Sequence, residues 1–193
     1  MIKRESFEIT SQGRPEEIIL DEEYDILRSL SSEEFPPVIA RLLGDEKRII
    51  VLPQKDREMY ADMIELFKKE GFGVKEEKEV KDEDIKMSSL LILSSKSPIL
   101  RRIFGKIEQP SSGFAFMVRK NPLNPSKVIA LAHGNSEKEI NAAAKKIFHY
   151  GRYSMVTFKE GENIEKKIEE SERGLRISLK EPVAGIEVAK VIN

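Results

Sequence analysis

Three short turns carry the residues best suited to chemistry in this chain: Pro53-Gln54-Lys55-Asp56, Ser94-Ser95-Lys96-Ser97 and His133-Gly134-Asn135-Ser136. Each follows an apolar run and precedes an amphipathic one. In an open parallel sheet, ligands sit beyond the carboxyl ends of the strands, at turns of this kind. Lys55, Lys96 and His133, with Ser95, Asn135, Gly134 and the first N–H groups of the following helices, form a set that can hold a small anion. The fingerprints of nucleotide sites are missing: there is no GxGxxG or GxxxxGKS, and no acid clearly placed for a ribose or Mg²⁺.

Catalytic and metal chemistry find less support. His133 and His149 are the only histidines, and neither lies in an HxH, HExxH or Asp-rich ligand spacing. His149, in Phe148-His149-Tyr150-Gly151, falls at a helix end where an imidazolium meets the dipole favourably. GxSxG is absent, so Ser94, Ser95 and Ser97 read as strand-end and cap residues. There is no cysteine, which excludes disulfides, thiolate metal sites and thiol nucleophiles. The carboxylates lie beside lysines on charged helical faces, where solvated pairs account for them. No catalytic residue, metal or cofactor is therefore assigned, and the chain reads as a non-enzyme.

Composition narrows the partners. Among 193 residues, 39% are hydrophobic and 35% charged, and 33 basic residues nearly balance 34 acidic ones. Whole-molecule attraction to nucleic acid or anionic lipid has no support. The local cluster Arg101, Arg102 and Lys106 has only Phe104 beside it, short of an RNA-stacking platform. No run approaches the about 18 apolar residues of a membrane span, and the basic start lacks the apolar core of a signal peptide. A cytoplasmic chain without membrane insertion is expected, or a cell-envelope one if it is excised from a larger secreted protein.

The elements that must position the three turns follow from periodicity. Ile49, Ile50, Val51 and Leu52 form a buried-type strand, followed by a helix capped by Asp56 with Tyr60, Met63, Ile64 and Phe67 on its inner face. Gly71 ends that helix, and residues 73–80 return as a strand. Residues 89–94 are a second buried strand, and Ser97-Pro98 opens a helix carrying Ile99, Leu100 and Ile103. Residues 114–118 read as a further strand. The proline-interrupted linker 119–126 leads to residues 127–132, then to a helix with a Ser136/Glu139 capping box and Ile140, Ala143, Ala144 and Ile147 inward. Residues 153–158 close this unit as a strand. The fold class is α/β: an open, mainly parallel sheet with helices on both faces, built from two strand–helix–strand units, with N- and C-terminal extensions.

The extensions are less regular. Residues 1–45 are expected to form an extension packed on an α/β body at 46–180. Residues 6–10 alternate as a strand, and 15–30 fit either a strand at Ile18, Ile19 and Leu20 or a helix through Tyr24, Leu27 and Leu30. A helix capped by Ser32 and ended by a left-handed Gly44 follows. Residues 162–173 are expected as a charged helix, and Leu175, Ile177 and Leu179 as an edge strand. The apolar tail 181–193 reads as a linker or edge strand that docks on another domain or a second copy.

Residues 112–131, with Asn121-Pro122-Leu123-Asn124-Pro125, followed by Ile147-Phe148-His149-Tyr150-Gly151-Arg152-Tyr153-Ser154, resemble an accessory module of bacterial multidomain proteins. In those proteins the module lies between a gluzincin metallopeptidase-like region and a ChaN-like haem-binding lipoprotein region. Residues 172–179 and 185–188 look like the lead-in to the second region. The likeness spans about residues 110–190 and implies a non-catalytic accessory or interaction module within a larger assembly. It carries no catalytic residue over, because neither neighbour's chemistry falls in this chain. A more distant likeness is to non-catalytic α/β domains of envelope polysaccharide enzymes. The other reading is a small-ligand or anion-binding domain using the turns at Lys55, Lys96 and His133.

Overall fold

The computed structural model describes residues 13–107 and 113–180. In chain order the first elements are β1 (Glu17–Leu20), α1 (Ile39–Gly44), β2 (Arg48–Leu52), α2 (Ala61–Lys69), β3 (Gly73–Glu76), α3 (Asp82–Met87) and β4 (Ser89–Leu93). They are followed by α4 (Pro98–Phe104), β5 (Phe114–Lys120), β6 (Val128–Gly134), α5 (Glu137–Ala144), β7 (Met155–Lys159), β8 (Glu162–Lys167) and β9 (Leu175–Ser178). The chain divides into two compact units, Phe35–Ser171 and the pair Met1–Glu34 with Glu172–Asn193. Residues 35–45, expected in the N-terminal extension, thus belong to the larger unit, while 172–180 join the smaller one. The expected strand at 6–10 and the tail 181–193 lie outside the described residues.

The larger unit is an α/β sheet of seven strands in the order β3-β2-β4-β6-β5-β7-β8. β3, β2, β4 and β6 are parallel neighbours; the β5–β6, β5–β7 and β7–β8 pairs are antiparallel. The apolar runs of β2, β4 and β6 sort by strict alternation. Ile50, Leu52, Leu91, Leu93, Ala130 and Ala132 face the core shared with α1, α2 and α5, while Val51, Leu90, Ile92, Ile129 and Leu131 face α3 and α4. Strands covered on both faces need apolar side chains at successive positions, hence the unbroken runs. Phe67 of α2 centres an aromatic group on the first face, with Phe72 and Phe148 rings 5.1 Å away and Phe116 stacked at 6.2 Å.

Residues 121–127 turn β5 back onto β6 rather than crossing over, so β5 and β6 form a seven-residue antiparallel ladder. The fully buried Asn121 holds this turn: its amide donates to the Ile85 carbonyl at 2.5 Å and its side-chain oxygen accepts from Leu123 N–H at 3.0 Å. The strand expected at 153–158 is β7, and it pairs antiparallel with β5 because that hairpin reverses the direction of its neighbour. The charged helix expected at 162–173 is replaced by strand β8 over Glu162–Lys167. Glu160 and Gly161 both have positive φ, 52° and 81°, as in the two-residue turns whose twist suits a hairpin. With only Ile164 and Ile168 to bury, a helix there lacks the apolar face that stabilises short helices. The charged β8 edge discourages pairing with other chains.

Two end signals differ from expectation. Gly44 is the last residue of α1 without a left-handed cap, since Asp45 continues extended at φ −71°. The N-cap of α1 is Val38, not Ser32, because Pro36 and Pro37 delay helix entry.

In the smaller unit, β1 and β9 pair antiparallel in register from Glu17↔Ser178 to Leu20↔Leu175. The strand alternative at Ile18–Leu20 therefore holds, while Tyr24 takes a positive φ of 60° and Leu27 is fully exposed, incompatible with the helical alternative. Arg28 ties the loop together, donating to Asp21 at 2.7 Å and, through two nitrogens, to the Glu34 carboxylate at 2.6 and 2.8 Å.

Candidate ligand-binding edge

Because β2, β4 and β6 are adjacent and parallel, the three turns singled out in the sequence emerge side by side on one edge of the larger unit. Neighbouring strands are about 4.8 Å apart, so the turns span about 10 Å from Lys55 to His133. The chain leaves β2 through α2 toward β3 and leaves β4 through α4 toward the other side of the sheet. Those two helices cover opposite faces. The gap between the β2 and β4 ends is therefore the topological switch point, where open α/β sheets form their binding crevices.

The β4 and β6 turns are joined by a hydrogen bond between Ser95 Oγ and His133 Nδ1 at 3.2 Å. Asn135 adds a side-chain hydrogen bond to the same imidazole, and the Lys96 ammonium lies close enough to act on its charge. Burial of the half-covered ring and the Lys96 charge push the His133 pKa down, against the opposing Asn135 bond. The imidazole is held neutral near neutral pH. Among the described residues, Lys96 and the exposed Lys55 have no carboxylate partner. Lys55 stands on the far side of the switch point from His133.

Several of the backbone donors expected to serve an anion are already occupied. Ser97 N–H donates to Ser94 O at 3.4 Å, Lys96 N–H to Ser94 Oγ at 3.3 Å, and Asn135 N–H to Gly113 O at 3.1 Å. The Gly134 N–H bonds to the Tyr60 hydroxyl. Ser97 caps α4 by accepting from Leu100 N–H at 3.4 Å, and its hydroxyl donates to the buried Glu77 carboxylate. Ser136 likewise caps α5, but Glu139 accepts from Glu160 N–H at 3.0 and 3.1 Å, so the capping box is only half formed. Asp56 makes no side-chain cap and takes a positive φ of 62°, and Ser94 takes φ 84°. Non-glycine residues in that region cost of order 1–3 kcal/mol and persist where the surroundings hold them.

Gly134 has a packing reason to be glycine: a Cβ there would lie 2.4 Å from Ile140 Cγ1, inside the α5 contact. The structure thus gathers Ser95, Lys96, His133 and Asn135, puts Lys55 across the switch point, and gives Gly134 to helix packing.

Tyr60 and Glu77 join this edge without having been picked out as polar contributors. Tyr60 was legible only as an apolar helix position, and Glu77 only as one acid among several. Burial raises the Tyr60 pKa, while the Gly134 amide works the other way.

The opposite edge holds two open concavities of about 230 and 430 Å³ that share Asp45 and Lys127. Their polar groups are engaged with one another. Asp45 accepts from Lys127 Nζ at 2.7 and 2.9 Å and from Ser89 Oγ at 2.6 Å, while Ser89 Oγ accepts from Val128 N–H at 3.1 Å. This staple ties the amino ends of β4 and β6 to the loop before β2 and is structural.

Among the described residues, no three His, Asp or Glu side chains gather as metal ligands, and no helix is long and apolar enough to cross a membrane. No protein-family model matches the chain, and no curated protein matches it. Neither the geometry nor these comparisons give a positive sign of a catalysed reaction.

Proposed function

We propose that the larger unit is a small-ligand domain that holds an anion at the switch-point edge, using Lys96, His133, Ser95 and Asn135 with Lys55 from the neighbouring turn. The reading rests on the side-by-side parallel ends of β2, β4 and β6, which bring these turns to one edge. With several turn amides engaged and no glycine-rich loop, the Lys96 and Lys55 ammonium groups are the charged donors at this edge, which favours a compact charged group over a pyrophosphate lying along a glycine-rich loop.

A thermal-shift screen with phosphosugars, nucleotides and haem tests the reading. A ligand at one hundred times its Kd stabilises the native state by about 2.7 kcal/mol. For a unit of this size that is about 5–10 °C in Tm. Lys96→Ala should weaken the response about tenfold or more in affinity, the loss of one charge-assisted contact. Stabilisation by none of these ligands, or a response untouched by both Lys96→Ala and Lys55→Ala, refutes it.

A second reading, an accessory module docking on another domain or on its own copy, is supported by the apolar side chains of the smaller unit. Leu20, Ile26 and Leu27 are 48, 63 and 106% exposed, more apolar surface than a charge-rich small unit displays without use. The resemblance to a module beside ChaN-like and gluzincin-like regions points the same way. Deleting residues 183–193 and measuring solution mass and Tm tests the docking role of the tail. A truncation as stable and as monomeric as a monomeric parent removes that support.

A further inference from the structure

Resting on the anion-binding reading, we infer that the ligand carries a phosphate dianion seated beside Lys96, and that His133 takes up a proton as it binds. The geometry around the ring prepares this. Ser95 Oγ stands 3.2 Å from Nδ1, and a hydroxyl can donate or accept by rotating about its C–O bond. Asn135 beside the ring favours its charged form. An unprotonated Nδ1 accepts from Ser95 Oγ; a protonated Nδ1 donates to it, after a turn of one hydroxyl. The same hydroxyl therefore satisfies Nδ1 in both states.

Burial of the ring and then the Lys96 charge favour the neutral form, and the second of these is open to a ligand. Lys96 is the charged group acting on the ring, and without a ligand its ammonium disfavours a second positive charge beside it. On the other neighbouring elements, β5 presents Ala115 opposite His133, and the Tyr60 hydroxyl reaches Gly134 rather than the ring. Asp56 acts on Tyr60, and Glu77 is taken up by Ser97. A dianion at Lys96 reverses the local sign, so the imidazolium becomes the favoured form and adds a second cation to the ligand. Sugar phosphates and free phosphate share this chemistry.

The chain has only two histidines, which makes the test direct. The two imidazole Cε1–H resonances of the intact chain are followed from pH 5 to 8.5. Sodium chloride, inorganic phosphate and glycerol 3-phosphate form separate arms at matched ionic strength, with backbone amide shifts recorded alongside. The expected result is a rise of about one pH unit or more in the His133 midpoint, a tenfold gain in proton affinity, with inorganic phosphate, glycerol 3-phosphate or both. The exposed His149 resonance is the internal reference for general ionic effects. Whichever phosphate arm responds identifies the source. Amide shifts at residues 54–56 and 94–97 with an unmoved His133 midpoint would overturn the proton uptake and leave anion binding standing. Equal movement of both histidines would reduce the effect to general screening. No change in either observable would overturn the inference and, for phosphate ligands, the reading beneath it.

Discussion

Gly113→Ala is the substitution for which the coordinates make the sharpest demand. Gly113 opens β5 with φ +85°, and its carbonyl accepts the Asn135 N–H that shapes the His133 turn. A Cβ there would lie 2.1 Å from the Phe158 carbonyl oxygen and 3.1 and 3.3 Å from two further β7 backbone atoms. Backbone in a paired strand cannot rotate aside as a side chain can, so β5 and β7 must part by about 1 Å. The left-handed conformation alone costs an L-residue roughly 1–2 kcal/mol. Parting the strands weakens one or two ladder hydrogen bonds at about 1 kcal/mol each. The expected loss is about 2–4 kcal/mol. With a urea m-value of about 2 kcal/mol/M, the unfolding midpoint falls by roughly 1–2 M. Gly44→Ala is the control: no atom lies within 4 Å of its Cβ and its φ is ordinary, so a gain of about 0.5–1 kcal/mol is expected from lower unfolded-state entropy. Urea melts of both variants decide the matter. A loss below about 1 kcal/mol for Gly113→Ala would refute the close β5–β7 approach.

The remaining expectations concern charge and activity. Arg28 hydrogen bonds, joined by Ser31, overcome burial and draw the Glu34 carboxyl down from 4.5 to about 2. The contact is thus fully stabilising above pH 4.5 and is lost as pH falls toward 2, so amide exchange in 13–34 and 172–180 should quicken across that window and change little from pH 5 to 8. Asp45→Ala removes four hydrogen bonds, two from Lys127 and one each from Ser89 and the Lys47 N–H, and leaves the Lys127 ammonium unpaired beside the strand starts, for a loss of roughly 1–3 kcal/mol by urea melt; an unchanged midpoint would show the staple to be idle. Peptide, ester and phosphate substrates should not turn over, and hydrolysis that survives purification and disappears in His133→Ala would contradict that expectation.

The central architecture was legible because it is written in apolar runs. Residues 49–52, 89–94 and 127–132 can be buried on both faces only in the middle of a sheet, and the Ser97-Pro98 and Ser136 caps announce the helices that follow. What escaped was direction and edge. Nothing local in 114–118 says that it pairs backward onto the strand after it, since that depends on Asn121 reaching across to the Ile85 carbonyl. Residues 162–167 carry charges at four of six positions and match no period, so the Glu160-Gly161 turn alone held the clue to a hairpin. At the candidate site, the turns could be named but not their mutual order, because adjacency of β2, β4 and β6 is a property of the whole sheet.

The occupied amides at this edge sharpen what kind of recognition it supports. In a glycine-rich phosphate loop the backbone itself is the ligand-binding surface, and glycine serves to bring it close. Here the corresponding turns carry serines that close their own backbone, with Ser94, Ser97 and Ser136 each accepting from a nearby N–H. The Lys96 ammonium and the Ser95–His133 pair then stand beside the remaining amides, and these side chains titrate or rotate where amides cannot. Affinity built this way depends on charge and protonation more than on loop shape, so it should fall with rising salt and with rising pH through the His133 range. Measuring phosphate binding by chemical shift at pH 6 and 8, with the affinity referred to the dianion present at each pH, separates the alternatives. A site formed by backbone amides would hold its dianion affinity across the pH change, and that outcome would refute recognition that depends on His133.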